Sequence, residues 1–209
     1  CEKINFGSKN PSIIYSNEFF DCFPVRQFLL NKYWFEKYVY FNKVNDSFYL
    51  KNEIVKNKKL LSLLNSYKKE KIVEKSFQRN IYFEKICKNI KKNGGIFLTI
   101  DYGYFKNIKN FTLQALQNHT YSHVLENIGN KDISSHVNFN DLFNISKDNG
   151  LKVEEFCTQR EFLIKHGILE RKKFLSKISS PIIIEEELNK LINKNQMGDL
   201  FKCLVVSNL

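Results

Sequence analysis

Methionine, proline and arginine are scarce in this chain: its 209 residues include one Met (Met197), three Pro and four Arg (Arg26, Arg79, Arg160 and Arg171). With Cys1 in first place and the one methionine at Met197, the chain does not begin where translation usually begins, so a further segment is expected upstream of Cys1. Long apolar runs are also lacking. Lys, Asn and Glu interrupt the 43% of apolar residues throughout, so no stretch approaches the roughly 20 residues that cross a bilayer, and a membrane span is excluded. The motifs G-x-G-x-x-G, G-x-x-x-x-G-K-[ST], G-x-S-x-G and H-E-x-x-H are absent, which leaves the chain without a cofactor signature of its own. Cys1, Cys22, Cys87, Cys157 and Cys203 are scattered, odd in number and never spaced C-x-x-C, so no zinc ribbon or redox pair is expected. Apolar neighbours around Cys22, Cys87 and Cys203 predict buried, reduced thiols and hence a reducing compartment.

A formal net charge of +11 raises the question of nucleic acid. The basic residues are nearly all lysines, spread over 56–59, 68–75, 88–92 and 171–177 and interleaved with Asn, Ser and Glu. Aromatic residues do not alternate with them in a stacking pattern, so solvated helix faces are the better reading and no nucleic acid is expected.

The length fits one domain, or one with an insertion. After Pro11, residues 12–16 are apolar and β-branched and read as a short buried strand running into Asn17 and Glu18. Residues 25–28, 39–41 and 48–50 read as further strands, the last two joined by a turn at Asn45-Asp46, and suggest an antiparallel insertion over about residues 29–60. Helical spacing, as at Ile81, Ile86 and Ile90, recurs through residues 60–92 and stops at Gly94-Gly95. An apolar strand at 96–100 then ends in Asp101-Tyr102-Gly103. Helix, glycine stop and apolar strand in that order is the rhythm of a parallel sheet. Residues 104–138 have little periodicity and are expected to form a long loop. A helix at 140–149, a strand at 151–157, helices at 159–166 and 185–195 and a strand at 201–207 complete the α/β pattern.

Three constellations could carry chemistry. Glu18 and Asp21 lie three apart after the first strand. If the chain turns helically there, both carboxylates face one side and can hold a planar cation by paired hydrogen bonds; an acidic turn complementing a helix dipole fits the spacing as well. Asp101, with Tyr102 and Gly103, stands at a strand end where an acid can orient a ligand, or else forms an Asx turn. His119 and His123 have i, i+4 spacing that could hold zinc with His136 or Asp132, but no thiol or second pair completes a set, so no metal is expected. His136 is the best acid or base of that stretch.

In order, Asn17-Glu18-Phe19-Phe20-Asp21-Cys22-Phe23-Pro24-Val25-Arg26, Trp34-Phe35-Glu36, Gly94-Gly95 leading into Ile100-Asp101-Tyr102-Gly103, and Thr112-Leu113-Gln114-Ala115 with Asn118-His119 form a series. Asp132-Ile133-Ser134-Ser135-His136-Val137-Asn138-Phe139, Thr158-Gln159-Arg160-Glu161-Phe162-Leu163 with Gly167-Ile168, and Met197-Gly198-Asp199-Leu200-Phe201-Lys202 continue it. Together they resemble the MidA family of class I S-adenosylmethionine-dependent methyltransferases, which includes a mitochondrial complex I assembly enzyme. The resemblance implies the C-terminal portion of a Rossmann-like methyltransferase sheet, strands four to seven, as part of a single domain spanning 1–209. It implies S-adenosylmethionine as cofactor, with Asn17 contributing and the remaining contacts upstream of Cys1, so that this polypeptide alone should bind it poorly.

In the family's mitochondrial member the implied reaction is dimethylation of an arginine on a respiratory complex I subunit. A guanidinium stays protonated at neutral pH, so the enzyme must hold it and free a nitrogen lone pair. Carried onto this chain, the catalytic candidates are Glu18, Asp21, Asp101 and His136, and the substrate-binding candidates Asn17, Tyr102, Gly103 and His119. The implied partner is a protein substrate such as a complex I subunit, and the implied location the bacterial cytoplasm or the mitochondrial matrix. The alternative is a non-catalytic assembly factor that docks a partner on the same sheet.

Overall fold

The computed structural model describes residues 10–106, 108–118 and 120–209. In chain order, β1 (Ser12–Asn17), β2 (Arg26–Leu30), β3 (Trp34–Asn42) and β4 (Ser47–Ile54) precede α1 (Lys58–Asn65), β5 (Ile72–Lys75) and α2 (Phe77–Asn93). The next elements are β6 (Gly95–Tyr104), β7 (Gln114–Gln117), β8 (Thr120–Ser122), β9 (Asp132–Ser134), β10 (Val137–Asn138) and α3 (Phe139–Asp148). The chain closes with β11 (Lys152–Thr158), α4 (Gln159–Lys165), α5 (Ile168–Leu175), α6 (Pro181–Ile192), α7 (Met197–Leu200) and β12 (Phe201–Asn208). The described residues form two compact units, one from residues 10–20, 80–105 and 137–209, the other from residues 21–79, 106, 108–118 and 120–136.

The first unit is a mixed sheet in the order β1-β6-β12-β11, with β10 also on β6. β1 and β10 run parallel to β6, whereas β12 runs antiparallel to both β6 and β11. This agrees with the class I methyltransferase arrangement that the resemblance implied. On α2, Phe83, Ile86, Cys87 and Ile90 are buried at i, i+3, i+4 and i+7, a single apolar stripe. The stripe differs from expectation at Ile81, which is 52% exposed because five residues from 81 to 86 overshoot one helical turn. Phe83 meets Phe97 of β6 and Phe20 at ring-centre distances of 5.8 Å. Gly94 and Gly95 end the helix at φ 78° and 122°, and a Cβ on Gly95 would come within 2.1 Å of the Ser12 carbonyl oxygen. That clearance lets β1 pair from its first residue, Ser12 opposite Gly95.

β1 itself is less buried than its composition suggested. Ile13 and Tyr15 are exposed, whereas Ser12, Ile14 and Ser16 on the other face are half-buried. β6, in contrast, is longer than expected. It continues through Asp101, Tyr102 and Gly103 because β10 and β12 pair with that end. Gly103 sits where a Cβ would lie 2.5 Å from Phe139 Cδ2 and 2.6 Å from the Val137 carbonyl oxygen. Gly103→Ala should therefore destabilise the unit by about 2 kcal/mol through overpacking, read as a lower urea midpoint at unchanged slope. An unchanged midpoint would show that Phe139 can move aside.

The second unit holds an antiparallel sheet in the order β4-β3-β2-β5 and a smaller one in the order β8-β7-β9. Phe28, Trp34, Val55, Leu64 and Val73 form its core. Two expectations are corrected here. Residues 60–92 are not one helix, since β5 intervenes: Lys71 takes φ 63°, and residues 72–75 pair with β2. Residues 104–138 are not a plain loop either. Their strands carry so few apolar side chains that no period of two is visible before pairing, and Gln114–Leu116 finds its partner at Asp132–Ser134. Cys22 is exposed, against expectation, whereas Cys87 and Cys203 are buried. Burial pushes the Cys87 thiol up to about 12, which keeps it protonated and inert.

Candidate active site

Parallel pairing sets the geometry of the first unit's carboxyl edge. With Asn17 opposite Ile100, the residues beyond, Glu18 and Asp101, fall next to each other. Glu18 N–H donates to the Ile100 carbonyl at 3.0 Å, and Glu18 then takes φ 47°, turning the chain sharply away from the strand. The turn is pinned from below. Asp101 is fully buried, and its Oδ2 accepts from Phe20 N–H at 2.8 Å while Oδ1 accepts from Tyr102 N–H at 2.9 Å. Ser16 Oγ donates to Thr99 Oγ1 at 2.9 Å one step back along both strands. The result is an exposed Glu18 carboxylate and an exposed Asn17 amide, 3.3 Å apart, on a turn fixed by a buried acid.

The helical turn expected after β1 does not form: residues 18–25 are turns and irregular backbone. Glu18 and Asp21 therefore do not share a helix face, and they differ in setting, Glu18 being exposed and Asp21 buried. In the turn that forms instead, Phe20 N–H donates to Asp101 Oδ2. Tyr102 packs its ring on Phe201, centroids 4.2 Å apart, in the cluster of Ile100, Phe201 and Cys203. Gly103 is buried for the steric reason given above. His119 lies outside the described residues.

In the second unit, motif segments far apart in sequence meet. Ser135 N–H donates to the Asp21 carbonyl at 2.9 Å, and His136 N–H donates to Thr112 Oγ1 at 3.0 Å. Glu74, buried, accepts from Gln27 Nε2 at 2.7 Å, Thr112 N–H at 3.0 Å, Leu113 N–H at 3.2 Å and the Thr112 hydroxyl. Buried Arg79 donates Nη2 to Ser135 Oγ at 2.9 Å and Nη1 to the His136 carbonyl at 3.5 Å. Asp21 and His136 are thus held through their backbones by a polar frame centred on Glu74 and Arg79. Sequence reasoning missed both. The available signal was that Arg79 is one of only four arginines in the chain.

Other motif pieces turn out to be scaffolding. Arg26 holds Glu36 through two bonds of 2.5 and 2.7 Å; burial pushes the Glu36 carboxyl up, but the Arg26 and Tyr38 hydrogen bonds outweigh it and keep it below the usual carboxylate range. Thr158 and Glu161 form a capping box on α4, while Gln159 and Arg160 satisfy the Leu191 and Ile192 carbonyls at the end of α6. Lys202, opposite Asp101 in the β12–β6 register, donates to the Asp199 and Leu200 carbonyls, and burial pulls its ammonium below the ordinary lysine value. Among the described residues no group of three or more His, Cys, Asp or Glu could hold a metal, and no helix is long and apolar enough to cross a membrane.

Residues 2–157 match the model of the family described as "Putative S-adenosyl-L-methionine-dependent methyltransferase". The chain is 28% identical over 204 residues to the mitochondrial protein arginine methyltransferase NDUFAF7 of Danio rerio, covering 94% of this chain and 47% of that protein. It is 29% identical over 193 residues to the NDUFAF7 homolog of Caenorhabditis elegans, covering 90% and 45%. It therefore spans about half the length of the curated relatives it matches. A Burkholderia thailandensis crystal structure bound to S-adenosyl-homocysteine shares its fold with a TM-score of 0.84 at 19% identity, over 96% of this chain and 55% of that one.

Proposed function

From the premise that this chain belongs to the S-adenosyl-L-methionine-dependent methyltransferase family matched by residues 2–157, we propose that it is the acceptor-side part of a protein arginine methyltransferase. The observation that carries the reading is the exposed Glu18 carboxylate, fixed beside the carboxyl end of a parallel strand pair by buried Asp101. Ligands of doubly wound sheets bind outside that edge. Support for the arginine acceptor comes from the named relatives in fish and nematode, and support for a mitochondrial location from the same names. A respiratory complex I subunit remains the acceptor that the family resemblance suggests.

The residues present fit one end of the cofactor. Asn17 offers an amide at the strand edge, where the donor's polar groups would be held, whereas no G-x-G-x-x-G loop occurs in the 209 residues. When bound, S-adenosylmethionine supplies an electrophilic sulfonium methyl. Glu18 accepts hydrogen bonds from the acceptor guanidinium and fixes its plane, a pairing to which Arg is suited. Asp101, buried and doubly bonded to backbone, acts as a positioning residue for Glu18. Within the second unit, Asp21 and His136 keep the roles of substrate clamp and proton acceptor as proposals, each to be tested by substitution in the same assay.

Calorimetric titration tests the cofactor part. S-adenosylmethionine added to this chain should give no measurable heat, and added to a version extended by the segment that precedes the matched region in the longer relatives it should give a saturable one. Equal binding by both would place the whole cofactor site within these residues and overturn the division proposed here.

A further inference from the structure

In the first unit, α5 and α6 are joined by residues 176–180 alone, so they pack as an antiparallel hairpin. Ile168 and Leu175 of α5 share an inner groove with Ile184, Leu188 and Leu191 of α6. That packing leaves the hairpin's tip outside. Lys177, Ile178 and Ser179 N–H donate to the Phe174 and Leu175 carbonyls at 3.1, 3.0 and 2.9 Å. The helical turn therefore runs on past α5 and sets Ile178 one turn beyond Phe174 on the same side. Pro181 then starts α6, with Ile182 and Ile183 in its first turn. Every residue from Lys177 to Ile183 is exposed, and Phe174, Ile178, Ile182 and Ile183 stand at 61, 68, 72 and 55%. Single exposed apolar side chains are ordinary, but four large ones around one short connection make a patch.

Charge selects the occupant. From residue 171 to residue 184 there are four basic side chains, Arg171, Lys172, Lys173 and Lys177, and no acidic one. Lys172 pairs with Glu185 on the facing helix, whereas Arg171, Lys173 and Lys177 form no ion pair among the described residues. The acids of α6 follow further from the tip, and two of the three, Glu185 and Glu187, are taken up by Lys172 and Lys190. Apolar side chains at a protruding point with cations behind them match an anionic bilayer: its acyl boundary takes the isoleucines while its headgroup phosphates meet the ammonium and guanidinium groups. Four side chains on a tip offer a folded partner little area against the ~800 Å² per side of a standard interface, whereas a fluid bilayer closes around such a tip. Since no described helix is long and apolar enough to cross a membrane, the attachment is to one leaflet.

We propose that the chain docks peripherally on anionic phospholipid bilayers through the α5–α6 tip, with Phe174, Ile178, Ile182 and Ile183 entering the interface and Arg171, Lys173 and Lys177 on the headgroups. The 209-residue chain should co-sediment with phosphatidylcholine vesicles that contain about 30% phosphatidylserine, and not with pure phosphatidylcholine vesicles. Ile178→Asp and Ile182→Asp should each lower the partition coefficient at least ~10-fold, and Lys173→Gln with Lys177→Gln about 20-fold. Thermal unfolding should stay unchanged, because all four positions are exposed. Val44→Asp, and Lys68→Gln with Lys69→Gln, alter exposed apolar and basic positions elsewhere and should leave binding within about twofold. Ile178→Trp adds an indole to a chain whose one tryptophan, Trp34, is buried; its emission should shift to the blue on anionic vesicles and be quenched by brominated acyl chains. Failure to bind anionic vesicles, whatever protein then covers the tip, overturns the proposal. Binding that survives the tip substitutions, or that leaves the Ile178→Trp emission unmoved, is the general attraction of a basic chain and overturns it too.

Discussion

Glu18→Gln, made in the complete methyltransferase, is expected to lower kcat/KM for the arginine-bearing substrate by about 100-fold, or ~2.7 kcal/mol of transition-state stabilisation. The amide keeps the shape and the exposed position but removes the charge that a guanidinium would bond. Stability should not change, because Glu18 is exposed and its one side-chain hydrogen bond, from Asn17, survives in kind. The substitution thus separates chemistry from folding, which Asp101 cannot do: its carboxylate holds two backbone N–H groups, and its loss would unseat the turn. Mass-spectrometric quantification of methylarginine under single-turnover conditions is the measurement. A drop of less than about threefold would remove Glu18 from the site and leave the docking-only reading of the same sheet.

Glu74→Ala should cost about 4 kcal/mol, the largest single-residue stability loss expected in the second unit. Four donors converge on this buried carboxyl group, and truncation removes the acceptor of the buried Gln27 amide and of the half-buried Thr112 and Leu113 N–H groups. Leaving buried donors unpaired costs more than the bonds were worth. Glu74→Gln keeps the volume and one acceptor oxygen, so it should lose roughly half as much. Urea unfolding reads both values. A loss below about 1 kcal/mol for the alanine variant would mean that residues 112–113 and 135–136 are held by other means.

Much of the first unit was legible from periodicity alone. β1, α3, β11, α4, α6 and β12 lie where their apolar spacing and caps place them, to within a few residues, since those signals are local. The Asn45-Asp46 turn was legible for the same reason. What escaped included β5, hidden within a helical-looking stretch, β7 to β9, whose side chains carry no period, and the helix α5, which has no buried residue to mark a face.

The candidate site divides in the same way. Composition and motif order were enough to mark Asn17, Glu18, Asp21, Asp101 and His136 as the residues to watch and to point to a methyl-transfer family. Their settings were not available from the chain read end to end. A carboxyl group 81 residues away from Phe20 holds the turn after β1, on which Glu18 is exposed while Asp101 is buried. Likewise Glu74 and Arg79 look like ordinary surface charges until folding buries them. Burial and hydrogen-bond competition are properties of assembled surroundings, and no local pattern encodes them.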